Sequence, residues 1–411
     1  MLSFLEKWAV DGRLTLGVFL LSLFGVAMIY SAGAVNTPDP VATDAWQRQV
    51  LWFAIALLAF TLVARIPLGW WEWVALPAYV ITLVLLAATL VIGTGAGTAE
   101  STKSWIDFGA FRFQPSELAK LTTVLALARL LSTRDEPPTG LRDLLTPGLL
   151  VGVPLGFVLL QPDLGSGMAF VGVLYAMLYW SGTPPLMLLL MASPVVGLVL
   201  SFDTRIWSVY IVVLLLVLCL YRYRLFLYES AAVILVNIAA GAVAAPLWRS
   251  FRPYQQNRLL VFLDPSVDPK GAGYNLLQSK VAIGSGGFSG KGYLLGTQKR
   301  FDFLPEQHTD FIFSVIGEEL GFVGVGVTLL LLGYVLYRLV RMAEKASDPF
   351  AGLVLFGIFG LWFVHIFVNT GMTVGIVPIT GIPLPFVSYG GTFLLTSWLA
   401  AGIAVRLAHE R

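Results

Sequence analysis

The chain has one cysteine, Cys219, so neither a disulfide framework nor a thiolate-bound metal can be built from its sulfur. Charge is scarce as well. Asp, Glu, Lys and Arg make up 12% of the 411 residues, against 57% hydrophobic. There is no HExxH, no GxSxG and no GxxxxGK[ST], so the familiar soluble-enzyme chemistries are not signalled. The net charge of +2 decides little, and no nucleic-acid partner is expected. No soluble second domain, low-complexity tail or obvious internal repeat interrupts the chain. A single domain over 1–411 is expected.

What is abundant is apolar surface. Mean hydropathy is +0.81, and the apolar residues come in runs of roughly twenty, the length a helix needs to cross a bilayer core of about 30 Å. The pattern predicts an all-α polytopic membrane protein. Twelve candidate spans can be marked, at about 14–34, 48–66, 71–93, 115–133, 146–161, 164–182, 185–201, 205–221, 226–248, 309–337, 350–377 and 386–407. The first run is too long for a signal-peptide core and lacks a cleavage pattern, so it is expected to remain as a span.

Basic residues set the orientation. With both termini on one side, that side carries Lys7, Arg13, Arg65, Arg129, Arg134, Arg142, Arg222, Arg224, Arg338, Arg341, Lys345, Arg406 and Arg411. The short loops opposite carry only Arg48, Lys103, Arg112 and Arg205. Thirteen against four predicts cytoplasmic termini. The long 249–308 loop then lies outside, and its eight Lys and Arg escape the rule because long loops translocate regardless of charge.

Three outer segments are more than connectors: 94–114, 249–308 and PITGIPLPFVSYGG at 378–391. The last has too many prolines and glycines to be helical throughout. Non-helical backbone at membrane depth survives only against protein or a watery cavity.

Glu117 and Lys120 stand i, i+3 at the start of a span, after Pro115. They read either as an interfacial ion pair or as a charged pair facing a polar cavity. In LDPSVDPKGAGYNLLQSK (263–280), Asp264 and Asp268 each precede a proline. Either can simply shape a turn. Asp268, near Lys270, Lys280 and a glycine-rich run, can also serve as a base in a basic outer site. GSGGFSGKG at 284–292 is a weak phosphate-cradle signal, since the strand–loop–helix context is missing. Glu306, His308 and Asp310 could bind a metal or cap a helix. Glu318 and Glu319 need partners at their depth, and a helix–helix hydrogen bond accounts for His365 and Asn369.

Five motifs in order closely resemble the SEDS family (shape, elongation, division and sporulation), and its rod-shape branch, RodA, most of all. They are WIDFGAFRFQPSELAKL (105–121), QPDLGSG (161–167), FLDPSVDPKGAGYNLLQSKVAIGSGGFSGKGYLLGTQ (262–298), FLPEQHTDFIFSVIGEELGFVG (303–324) and PITGIPLPFVSYGGT (378–392). The resemblance implies an inverting peptidoglycan glycosyltransferase that polymerises lipid II at the outer face of the bacterial inner membrane during elongation. It implies Asp268 as catalytic residue. It also implies a substrate-binding set of Trp105, Gln114, Ser116, Glu117 and Lys120, with Arg258, Lys280, His308 and Ser388 as further candidates. Lys120, Lys280, Arg258 or a divalent cation (Mg or Mn) could meet the substrate diphosphate; no metal ligands are assigned. The implied partner is a class B penicillin-binding protein transpeptidase, its anchor packed on the last three spans. Gly352, Gly357 and Gly360 would either form that seam or face a neighbouring span of the same chain. A lipid II flippase and a non-catalytic scaffold of the elongation machinery are the rival readings. The family usually has ten spans, which would place a two-span surplus at 184–225.

Overall fold

The computed structural model describes residues 12–36, 43–95, 104–109, 111–220, 227–301, 303–304 and 306–409. Lys7, Lys103, Arg222, Arg224 and Arg411 of the charge pattern lie outside the described residues.

Each of the twelve apolar runs forms a helix. They are α1 (Gly12–Ala32), α2 (Ala45–Val63), α3 (Leu68–Ile92), α4 (Pro115–Ser132), α5 (Leu141–Leu160), α6 (Leu164–Trp180), α7 (Pro185–Leu200), α8 (Thr204–Leu220), α9 (Leu227–Ser250), α13 (Ile312–Lys345), α14 (Pro349–Val374) and α15 (Gly391–Leu407). Seven of these described helices are long and apolar enough to cross a membrane, and α6, α7, α8 and α15 are shorter apolar helices. The outer 249–308 segment is largely ordered into α10 (Pro253–Leu263), a 3-10 turn at Pro265–Val267, α11 (Ala272–Gly286) and the short α12 (Thr297–Arg300).

Burial sorts the bundle into centre and rim. In α14, 72% of the span is buried, against 17% in α9 and 22% in α3. α14 packs on α4, α6 and α13, while α7, α8 and α9 form a peripheral group. The glycines of α14 explain how it fits. A Cβ at Gly357 would stand 2.6 Å from Val124 Cγ1 and 2.8 Å from Met177 Sδ, and one at Gly360 would stand 2.4 Å from Ala176 Cβ. Gly352 lies against Trp180. Thus α4 and α6 occupy this face, and these glycines serve internal contacts rather than a partner seam. Gly357→Leu should therefore lower the thermal stability of the lone protein in detergent by about 1–3 kcal/mol or more, the usual cost of overpacking. An unchanged melting curve would show that this face is open.

A small antiparallel hairpin, β1 (Ile106–Asp107) with β2 (Arg112–Phe113), pairs Ile106 with Phe113. It delivers the chain directly into α4, whose first turn has Pro115 at a position where its missing N–H costs nothing.

α11 and the first turns of α13 approach at Gly286 and Gly317. A Cβ on Gly286 would sit 2.0 Å from the Gly317 carbonyl oxygen. Gly321, at φ +64, breaks the helical path inside α13.

Candidate active site

Residues 378–390 run without helix through the interior, as the prolines and glycines predict. Their polar backbone groups are satisfied partly within the segment and partly from elsewhere in the bundle. Asn369 Nδ2 donates to the Ile382 carbonyl at 2.8 Å and to that of Asp310 at 2.9 Å. The Leu384 amide donates to Ser388 Oγ, which donates in turn to the Thr309 carbonyl at 2.6 Å. Tyr389 N–H donates to the His308 carbonyl, and Gly390 N–H to Gln49 Oε1. Gly25 of α1 and Gly165 of α6 leave room for this backbone, lying against Phe386 O and Thr380 O.

Beside it lies a buried charged group. Lys120 Nζ stands 2.8 Å from Glu117 Oε2 and 2.9 Å from Oε1, so the pair faces protein rather than the interface. Its third neighbour is His365 Nε2 at 3.0 Å. The His365 ring stacks on Phe393, with centroids 5.0 Å apart, and Lys120 Nζ lies 5.8 Å from that ring's centroid. Lys120 is 1% exposed and its donors are engaged, so direct contact with a diphosphate would require it to give up Glu117 or His365.

Nearby, Asp163 caps α6 through the Ser166 amide at 3.0 Å and accepts from Gln114 Nε2 at 3.4 Å. Asp310 precedes α13, and burial, reinforced by Glu306, pushes its carboxyl up to about 7. Arg258 exerts the opposite pull on it, which places a cation in the same region. Arg258 also lies over the Tyr254 ring at 5.8 Å.

Asp268 sits in the outer loop with three local partners. Its Oδ1 accepts from the Gly271 amide at 3.0 Å. Its Oδ2 accepts from the Ala272 amide at 3.2 Å and from Asn257 Nδ2 at 3.4 Å. The carboxylate therefore rests on the N-terminus of α11, where amide dipoles favour negative charge. A carboxylate offers about four acceptor sites, so these bonds orient it without exhausting it. Asp264 differs. It is exposed and bonds Ser266 alone, and those bonds hold its carboxyl below the usual range.

The other sequence candidates divide. Gln114, Glu117 and Lys120 come together with Asp163 and His365. Ser116 is buried beside them with no hydrogen-bond partner for Oγ. Ser388 and His308 belong to the 378–391 packing, His308 lying 5.5 Å from the Tyr389 ring. Trp105 pairs through its backbone with Thr94 and marks the hairpin entrance. Lys280 lies apart and exposed, against the left-handed Gly375 that ends α14. Among the described residues no three His, Cys, Asp or Glu side chains are grouped so as to hold a metal ion. The glycine-rich 284–292 segment makes no phosphate cradle. The Lys291 and Gly292 amides donate to the Glu318 and Glu319 carbonyls, and Lys291 Nζ pairs with Glu318 at 2.7 Å.

The profile of the cell cycle protein family that groups FtsW, RodA and SpoVE matches residues 13–228 and 184–411. The chain belongs to this family. It is 33% identical over 410 residues to the peptidoglycan glycosyltransferase MrdB of Escherichia coli K12, covering 100% of this chain and 96% of that protein. It is 34% identical to the peptidoglycan glycosyltransferase RodA of Treponema pallidum, covering 97% of both. Among solved structures, a chain from a peptidoglycan synthase complex aligns at a TM-score of 0.72 with 29% identity, covering 98% of both chains. The rod shape determining protein RodA of Thermus thermophilus aligns at 0.62 with 27% identity, covering 97% of this chain and 96% of that one. These family members match nearly end to end. The 184–225 stretch, where the two-span surplus is expected, holds the short peripheral helices α7 and α8.

Proposed function

We propose that this integral membrane protein is a peptidoglycan glycosyltransferase that polymerises lipid II during cell elongation. The observation that carries the reading is the end-to-end match to named peptidoglycan glycosyltransferases, with Glu117 and Lys120 of the family's motif paired in the bundle interior. In the reaction, the C4 hydroxyl of an acceptor GlcNAc attacks C1 of the lipid-linked MurNAc. The C1–O bond to the diphosphate breaks and the configuration inverts. The proton leaves to Asp268, the base that the motif match selects. Arg258, or a divalent cation brought with the substrate, supplies charge for the departing diphosphate. Omitting Mg and Mn from the assay separates these two. The test of the whole reading is purified protein with lipid II, scored for glycan polymer on a gel; no polymer from well-folded protein, alone or with its transpeptidase, overturns it.

The site opens to the outer face of the cytoplasmic membrane, as the distribution of Lys and Arg supports. Ser289 and Thr139 are both exposed. With Cys219 replaced by Ser, a cysteine at 289 should react with an impermeant thiol reagent in spheroplasts while one at 139 should not. The reverse pattern would invert the orientation.

The partner is a class B penicillin-binding protein. One structural relative belongs to an assembly described as coordinating polymerization and crosslinking. Of the last three spans, α13 keeps an exposed apolar row, Phe322, Val323, Val327 and Leu330, suited to a single membrane anchor.

A further inference from the structure

His365 sits 245 residues from Lys120 in the chain, yet its two ring nitrogens join Lys120 of α4 to the irregular segment at Pro383. Nδ1 lies 3.1 Å from the Pro383 carbonyl oxygen. A carbonyl can only accept, so Nδ1 carries the hydrogen. Nε2 lies 3.0 Å from Lys120 Nζ, and an ammonium can only donate. Nε2 therefore presents its lone pair, and the ring is the neutral Nδ1–H tautomer. The network assigns this tautomer, since both partners have fixed roles. The ring is 0% exposed and stacked on Phe393, so it has no freedom to turn.

We propose that His365 is a positioning residue for the transfer reaction, holding the Lys120 ammonium beside Glu117 and locking that pair to the 378–391 segment through Pro383. It touches no substrate and acts through Lys120. The inference rests on the reading of Glu117 and Lys120 as part of the transferase site. Without the Nε2 acceptor, one ammonium hydrogen loses its partner in a buried setting, and Glu117 alone is left to position the lysine. Misplaced groups of this kind can cost up to about a hundredfold in rate. Glutamine supplies a replacement acceptor, because its Oε1 can take the Lys120 hydrogen while its Nε2 donates to Pro383 O. Leucine supplies neither.

The experiment compares His365→Leu, His365→Gln and Lys120→Met in the purified full chain with lipid II, each first shown to be monodisperse and to melt cooperatively. His365→Leu should lower kcat by at least about tenfold with KM changed less than about threefold, and His365→Gln should recover most of the loss. Near wild-type turnover by His365→Leu overturns the proposal, as does a Gln variant no better than Leu. If Lys120→Met itself turns over normally, the reading of Glu117 and Lys120 fails, which is a separate result. A second measurement stands independent of activity and of any folding defect in the variants. The chain has three histidines, so 15N-histidine spectra of the wild-type protein are simple to assign. One ring should show a protonated Nδ1 and a bare Nε2 at neutral pH, and Lys120→Met should shift that Nε2 resonance. An Nε2–H tautomer at His365 refutes the geometry.

Discussion

Asp268→Asn is expected to abolish glycan polymerisation, by at least about a hundredfold, while leaving the protein folded. General-base catalysis contributes about 10²–10⁴ in rate, and an amide cannot take the acceptor proton. The isosteric amide should remain in place on α11: Oδ1 can still accept an amide hydrogen, as the carboxylate does from Gly271 and Ala272. Asp264→Asn is the control. Its carboxylate is exposed and only closes the turn at Ser266, so it should retain most activity. The measurement is polymer formed from lipid II by each purified variant. Equal activity in the two variants would remove Asp268 from the chemistry.

A second large effect is expected far from that carboxylate. Lys299 and Glu319 form an ion pair in which both side chains are 0% exposed. Lys299 also donates to the Ser31 carbonyl at 2.7 Å, and Ser31 Oγ donates to Glu319 Oε2 at 2.6 Å. Lys299→Met leaves Glu319 buried without its cation, which typically costs about 3–5 kcal/mol. Thermal unfolding in detergent should show a large fall, and adding Glu319→Leu should recover part of it, since the stranded charge is then gone. The exposed Arg341–Glu344 pair supplies the contrast. Screened by solvent, it contributes about 0–1 kcal/mol, so Arg341→Gln should melt nearly as wild type. Equal losses from Lys299→Met and Arg341→Gln would show that burial does not set the scale here.

What could be read in the sequence was whatever one helix or one loop records by itself. The spans follow from the length of apolar runs, and each run became a helix. Glu117 and Lys120 are three apart, so their meeting is written locally. The irregular path of 378–391 is written in its own prolines and glycines. His365 was not legible as a partner of Lys120, because spacing to Asn369 reports only that both lie on one face of α14. Asp163 read as an interruption between spans, with nothing to show that it meets Gln114. Gly357 and Gly360 carried two readings that only the positions of Val124, Met177 and Ala176 could separate. The glycines at 284–292 signal an anion cradle only weakly and a tight turn better. The Lys291 and Gly292 amides there meet the carbonyls of Glu318 and Glu319, on a helix that follows in the chain.

The 378–391 segment also sets an order of assembly. Its backbone partners outside the segment come from α2 through Gln49, from the turn before α13 through the His308 carbonyl, and from α14 through His365 and Asn369. It is also seated against Gly25 of α1 and Gly165 of α6. An isolated α14–α15 hairpin keeps His365 and Asn369 but lacks Gln49 and the His308 carbonyl, so the Gly390 and Tyr389 amides would be left bare in lipid, at several kcal/mol each. The segment can therefore reach its final path only after the earlier helices have gathered, and it acts as the keystone that closes the bundle. During biogenesis the last hairpin waits on the first half of the chain. Truncations that remove α1 or α2 should then yield a protein whose C-terminal third stays open to protease, even where every remaining helix has been inserted.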